Sequence, residues 1–146
     1  MGLFNYFKRR DTENGSLTLN DTDELNLFEN DIHSDSFLSE VEKLVNVNKK
    51  FQKGLNLLHF ACEFGNIKLA TKLIERNIDI EEKNIYGNTP LWVAVFNSKG
   101  KYDMVDLLLS FNANPNSVNK AGNSPLKFAE TLGDLALIQK LKRNND

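Results

Sequence analysis

The sequence predicts an all-α solenoid in which short helix pairs are stacked side by side. Three observations lead to this prediction. A phrase built around a glycine turn occurs three times, as "KGLNLLHFAC", "YGNTPLWVAV" and "AGNSPLKFAE". The three glycines, Gly54, Gly87 and Gly122, are separated by 33 and 35 residues. After each phrase comes an apolar segment with helical spacing, and the first two are followed by an extended return to the next glycine.

Each phrase contains the signals that start a helix. Two residues after each glycine stands a residue type that caps helix N-termini, namely Asn56, Thr89 and Ser124. In two copies the next residue is a proline, Pro90 or Pro125, whose missing N–H costs nothing at the first helical position. Each copy then continues with a leucine and, three residues later, with a small residue that lets a second helix approach: Ala61, Ala94 and Ala129.

A second helix in each unit is predicted from apolar residues with helical spacing. These residues are Ile67, Leu69, Leu73 and Ile74, then Met104, Val105, Leu108 and Leu109, then Leu137, Ile138 and Leu141. Asn77 and Asn112 follow two of these helices and tolerate the left-handed conformation that often ends a helix. One unit is therefore a turn, a helix, a loop, a second helix and an extended return.

The segment before the first glycine turn predicts a further helix. "SFLSEVEKLV" has one apolar stripe, and Asp35 or Ser36 is available as its N-cap. The stripe consists of Phe37, Leu38, Val41, Leu44 and Val45. We expect residues 34–52 to form a degenerate repeat that caps the array, with "ELNLFEND" as the candidate for its missing first helix. Residues 1–33 are polar and acidic, and we expect them to form a mobile arm.

The three full units are predicted at about residues 53–85, 86–120 and 121–146. The last of them has Lys142 where the first two have Ile74 and Leu109. A terminal unit of a repeat array needs a polar outer face, because no further unit covers it. This pattern predicts that the third unit is the C-terminal cap.

With these motifs the chain resembles the ankyrin repeat family, whose period is 33 residues and whose signature is T-P-L-H-x-A. "NTPLWVA" and "NSPLKFA" match the signature, and "NLLHFA" matches it with Asn56 and Leu57 in place of Thr and Pro. The resemblance covers residues 38–142. It implies an ankyrin repeat solenoid with about three recognisable repeats and the degenerate capping repeat. It also implies that His59 is structural, since the histidine of this signature usually tethers neighbouring turns through hydrogen bonds.

Composition and motifs argue against catalysis and against several classes of ligand. A net charge of -2 gives no overall attraction to nucleic acid or to anionic membranes. The single cysteine, Cys62, excludes an intramolecular disulfide, and its repeat position indicates a packed thiol rather than a nucleophile. The spacing of the two histidines, His33 and His59, does not match a metal-binding motif. We expect no catalytic residue, no metal and no cofactor, and the cytoplasm as the compartment.

The resemblance also implies where a partner binds. Proteins of this family usually hold partners against the turn tips and the exposed face of each first helix. Carried over to this sequence, the candidate partner-binding residues are Leu55, Glu63, Phe64, Ile85, Tyr86, Asn88, Trp92, Phe96, Asn97 and Asn123. The six apolar or aromatic members are expected to form one strip on the concave side, which would mark an interface. The alternatives are that the N-terminal arm covers this strip or that some of these side chains pack between repeats.

Three hypotheses about function follow. The first is a non-enzymatic protein–protein interaction module, monomeric when free, that binds and modulates or inhibits one protein partner. An immunity (antitoxin-type) inhibitor of a cognate toxin is its most specific form. The second is an adaptor or host-directed effector whose residues 1–33 engage a second partner or a membrane through "MGLFNYFKRR". The third is an enzyme, which the missing catalytic constellation disfavours.

Overall fold

A computed structural model describes residues 33–42 and 46–143. Within these ranges the secondary structure is helical, without strands. The α-helices are α1 (Asp35–Glu42), α2 (Leu57–Glu63), α3 (Ile67–Glu75), α4 (Pro90–Asn97), α5 (Asp103–Ser110), α6 (Pro125–Leu132) and α7 (Leu135–Arg143). A short 3-10 turn, Gln52–Gly54, precedes α2. The pairs α2–α3, α4–α5 and α6–α7 are the three predicted repeats, so the all-α prediction is confirmed.

The predicted start signals act as helix caps. The side chain of Asn56 accepts a hydrogen bond from the main-chain N–H of His59 at 3.0 Å. Thr89 and Ser124 accept in the same way from residues three positions later, at 3.3 and 3.2 Å. Pro90 and Pro125 are the first residues of their helices, as predicted. These caps satisfy N–H groups that have no partner inside the helix.

The predicted helix ends are also observed. Asn77 and Asn112 have φ angles of 59° and 62°, in the left-handed region. Their main-chain N–H groups bond to the carbonyl oxygens of Ile74 and Leu109 at 2.9 and 3.0 Å. Such bonds use carbonyl groups that the helix leaves without partners, so each second helix stops at a defined residue.

Helix α1 covers the N-terminal side of the array, but its predicted cap is wrong. The helix begins at Asp35, so Asp35 and Ser36 lie in its first turn, where an acidic residue is favoured by the helix dipole. Val41 is fully buried where α1 packs against α3. The predicted arm up to residue 32, "ELNLFEND" and the segment 43–45 lie outside the described residues, and so does the side chain of Phe37.

A single core runs through the stacked helices. Helix α2 packs against its own partner α3 and against α4 of the next repeat, and α4 packs in the same way against α5 and α6. The three small residues Ala61, Ala94 and Ala129 are buried, as expected where helices approach closely. Leucines of all three repeats are fully buried: Leu57, Leu58, Leu69, Leu73, Leu91, Leu108, Leu137 and Leu141. Each repeat thus completes the core of its neighbour.

The third repeat has charged residues at two positions where the earlier repeats have apolar ones. Lys142 is exposed, and its Nζ lies 3.2 Å from a carboxylate oxygen of Glu130. Glu130 follows the small alanine of its repeat, at the position where the earlier repeats bury Cys62 and Val95. The polar cap predicted from Lys142 therefore includes a second charged residue. None of the helices between residues 33 and 143 that the structure describes has the length and apolar character to cross a bilayer.

Candidate functional site

A groove of about 260 Å³ lies between α2 and α4, under the turns that precede these helices. Most of the predicted partner-binding residues meet there. The predicted members that line it are Leu55, Glu63, Tyr86, Asn88, Trp92, Phe96 and Asn97. The lining also includes Lys53 of the first turn and four residues that the sequence interpretation did not place at the site: His59, Phe60, Asn84 and Val93. Two helices and two turns thus supply one continuous surface.

The turns are held side by side by main-chain hydrogen bonds. The N–H of Ile85 donates to the carbonyl oxygen of Lys53 at 2.8 Å, and the N–H of Lys120 donates to that of Tyr86 at 3.0 Å. Inside the second turn, the side-chain oxygen of Asn84 accepts from the N–H groups of Tyr86 and Asn88 at 3.0 and 3.1 Å. Tyr86 is 52% exposed on this hydrogen-bonded turn, so its side chain is accessible to a partner.

His59 ties the wall of the groove to the next turn. The N–H of Asn56 donates to the Nδ1 atom of His59 at 3.1 Å, and Nε2 lies 3.0 Å from the carbonyl oxygen of Asn88. Because a carbonyl oxygen only accepts, the hydrogen is on Nε2. Burial lowers the pKa of His59, while the bond to Asn88 acts in the opposite direction. His59 therefore tethers two repeats, as the resemblance implied.

Two aromatic residues that line the groove, Trp92 and Phe96, pack against a third aromatic residue, Phe128. The rings of Trp92 and Phe96 are stacked, with centroids 5.2 Å apart. Phe128 contacts both rings at 5.7 Å. Phe96 is 54% exposed, whereas the indole Nε1 of Trp92 is buried and has no hydrogen-bond partner among the described residues. The sequence interpretation missed Phe128, although this residue has the same position in its repeat as Phe60 and Val93 have in theirs.

Three predicted site residues lie outside this groove, so the six apolar residues do not form one strip. Phe64 is half-buried against the core and lines a second groove, of about 340 Å³, near the loops between paired helices. Phe64 thus occupies a packing position, which agrees with the alternative that some of these side chains pack within the array. Ile85 is exposed beside the groove, and Asn123 closes the third turn by accepting from and donating to Asn119.

The chemistry of the groove is that of a contact surface. Its lining consists of aromatic and aliphatic side chains, three asparagines and two charged residues, Lys53 and Glu63. Cys62 lies behind it, and burial raises the pKa of this thiol far above neutrality, so it is not a thiolate at neutral pH. In the ranges that the structure describes, no three His, Cys, Asp or Glu residues are placed to hold a metal ion.

Comparisons with known proteins agree with this architecture. A family model for ankyrin repeats in three copies matches residues 32–119. The chain is 38% identical over 89 residues to an ankyrin repeat domain-containing protein 13C of Danio rerio, covering 58% of this chain and 18% of that protein. It is 36% identical over 101 residues to a B-cell lymphoma 3 protein homolog of Mus musculus, covering 68% of this chain and 22% of that protein.

A third relative is a probable serine/threonine-protein kinase of Dictyostelium discoideum, 29% identical over 140 residues. That alignment covers 95% of this chain and 15% of the kinase. The chain thus spans about a fifth of the length of the curated relatives it matches. The similarity to each relative is therefore limited to the aligned part of that relative.

Proposed function

Since this chain belongs to the ankyrin repeat family, we propose that it is a non-enzymatic module that binds one protein partner in the groove between α2 and α4. Ankyrin repeats generally mediate protein–protein interactions, and this coarse role follows from the family. The groove is the specific part of the proposal. The observation that carries it is the exposed aromatic surface of Tyr86 and Phe96 on rigid elements.

The energetics favour this surface as the place of contact. Tyr86 and Phe96 each leave about half of a large aromatic side chain in water. Burying such side chains against a partner is favourable, and aromatic anchors contribute most of the binding free energy in many interfaces. The ring of Phe96 is already ordered by stacking on Trp92, and the main chain of Tyr86 is fixed by its hydrogen-bonded turn.

We propose further that the chain modulates its partner, because binding covers the part of the partner's surface that lies in the groove. Inhibition of a cognate toxin is the most specific form of this idea. The adaptor hypothesis differs in giving the segment 1–33 a partner of its own. Deleting that segment would leave binding at the groove intact under the first hypothesis and would remove one of two partners under the second.

The test compares two groove variants with two variants on the opposite side. Tyr86→Ala and Phe96→Ala should each weaken binding of a partner captured with the wild-type chain by about 2 kcal/mol or more, as for a desolvated aromatic anchor. Lys72→Ala and Asp106→Ala are the matched controls, since each breaks an exposed ion pair on a second helix, with Glu42 or with Lys140. Exposed pairs of this kind contribute little.

Affinity is measured by calorimetry, and thermal melting of each variant separates a binding defect from a folding defect. Loss of binding in the Lys72 and Asp106 variants, with Tyr86→Ala and Phe96→Ala silent, would place the partner on the second helices and contradict the proposal. Phe64→Ala is unsuitable as a groove variant because its side chain packs against the core.

A further inference from the structure

We infer that Trp92 determines the specificity of the groove, because its indole N–H donates a hydrogen bond to a main-chain carbonyl oxygen of the bound protein. This inference rests on the proposed function and names one contact that the groove makes. Trp92 lines the groove, and its Nε1 atom is buried without a hydrogen-bond partner. Among the buried and half-buried residues that the structure describes, it is the one buried side-chain nitrogen or oxygen in that state.

Trp92 has the same position in its repeat as His59 has in the first full repeat, but the two side chains differ in what they bond. The Nε2 atom of His59 lies 3.0 Å from the carbonyl oxygen of Asn88 in the next turn and donates to it. The equivalent carbonyl oxygen of the third turn belongs to Asn123. It accepts from the main-chain N–H of Asn119 at 2.8 Å, and the indole does not bond to it. Trp92 thus makes no tether to the repeat that follows.

The third turn is attached to the second by other hydrogen bonds. The main-chain N–H of Lys120 donates to the carbonyl oxygen of Tyr86 at 3.0 Å. The side-chain amide of Asn119 donates to the side-chain oxygen of Asn88 at 2.7 Å. These bonds join the two turns without the indole N–H, so this group is available for a role in binding.

The enclosed N–H group makes the free groove receptive to an acceptor. A buried donor without an acceptor is unfavourable and rare in native proteins, because it has given up its hydrogen bond to water. The indole nitrogen only donates, so an acceptor alone can satisfy it. Trp92 is half-buried and lines the groove, and a rotation of its side chain brings Nε1 to the groove surface. A partner that supplies an acceptor there gains more than an equally apolar partner without one.

The surroundings of the indole favour a neutral acceptor over a charged one. The ring centroids of Phe96 and Phe128 lie 5.2 and 5.7 Å from that of Trp92, and Val93 lines the same groove. Moving a carboxylate from water to such apolar surroundings costs far more than moving a carbonyl group. A main-chain carbonyl beside an apolar side chain supplies both the acceptor and the apolar contact. The favoured occupant is therefore a polypeptide segment with an apolar residue at this point.

The experiment uses the full chain, whose single tryptophan gives one indole signal in a proton–nitrogen correlation spectrum. The first probe is N-acetyl-leucine N-methylamide, which places neutral carbonyl groups beside an apolar side chain. The second probe is N-acetyl-leucine, in which a carboxylate replaces one amide. We expect the first probe to shift the indole proton downfield, as hydrogen bonding does, and to saturate at a lower concentration than the second. Tighter binding of the second probe, or an indole signal that neither probe moves, would overturn the inference.

A second measurement removes the N–H group and keeps the ring. Because the chain has one tryptophan, biosynthetic incorporation of an analogue with sulfur in place of the indole N–H changes this position alone. The analogue chain should melt no lower than the wild type and should bind N-acetyl-leucine N-methylamide about fivefold more weakly. Phe111→Ala, at an exposed aromatic residue outside the groove lining, is the control and should leave this affinity unchanged. Unchanged affinity of the analogue chain would overturn the inference. Tyr86→Ala and Phe96→Ala test the proposed function separately, because neither removes the indole N–H.

Discussion

The Nε2 atom of His59 lies 3.0 Å from the main-chain carbonyl oxygen of Asn88, and this contact joins the first full repeat to the turn of the second. The other ring nitrogen accepts from the N–H of Asn56, so one side chain both caps its own helix and holds the next repeat. His59 and Asn88 both line the groove. The geometry of the proposed binding surface thus depends on this histidine.

His59→Ala should lower the free energy of unfolding by about 2–4 kcal/mol, because it opens a cavity and leaves the Asn88 carbonyl oxygen without its partner. Urea unfolding followed by circular dichroism measures the change. The control is His33→Ala, since His33 is exposed and such substitutions usually change stability by less than about 0.5 kcal/mol. Equal effects of the two substitutions would show that the bridge has no role in stability.

Stability should depend on pH through His59. Burial lowers the pKa of His59 below its ordinary value of 6.5, so the unfolded chain takes up a proton more readily than the folded chain. The free energy of unfolding should therefore fall as pH drops below 6.5 and should be insensitive to this group above it. Urea midpoints between about pH 7.5 and about pH 5.5 measure the slope. The part of the slope due to His59 should vanish in His59→Ala and remain in His33→Ala.

Gly87→Ala should destabilise the chain more than Gly122→Ala. The two glycines have nearly the same φ, 76° and 77°, so the backbone strain of an alanine is similar at both. A Cβ on Gly87 would lie 2.9 Å from the main-chain nitrogen of Lys120, whereas a Cβ on Gly122 meets nothing within 4 Å. We expect an additional cost of about 1–3 kcal/mol at Gly87, measured by urea unfolding. Equal costs would mean that the turns separate easily.

The N-terminal helix should be needed for stability. Val41→Ala should lower the free energy of unfolding by about 1–2 kcal/mol, because Val41 is fully buried where α1 covers α3. Ser39→Ala, on the exposed side of the same helix, is the control. Deleting residues 1–48 should lower the melting temperature much further or cause aggregation, because the apolar face of the first full repeat loses its cover. A truncated chain as stable as the full chain would refute the capping role.

Most of the fold could be predicted because it depends on local signals that recur. The helix caps and the left-handed residues act within a few residues along the chain, and they recur from repeat to repeat. They can therefore be recognised in the sequence at Asn56, Thr89, Ser124, Asn77 and Asn112. The start of α1 could not be predicted in the same way. Its segment occurs once, and Ser34, Asp35 and Ser36 are all capable caps, so composition alone does not choose among them.

The site was predictable only in part, because it depends on contacts between repeats. Phe64 was predicted at the site because the family's partner-binding positions were carried over to this sequence, but its side chain packs against the core. Phe128 is absent from the predicted site residues, yet its ring lies 5.7 Å from the rings of both Trp92 and Phe96. The direction of an aromatic side chain at a helix surface is set by its neighbours in the next repeat, which a linear pattern does not specify.

The central claim is that the partner covers the groove between α2 and α4. Hydrogen–deuterium exchange of the full chain, alone and with the partner captured by it, tests this claim most directly. The account predicts slower exchange in the second turn tip (residues 82–88) and at the start of α4, with α3 and α5 unchanged. Slower exchange confined to α3 and α5, with the turn tip and α4 unaffected, would contradict it.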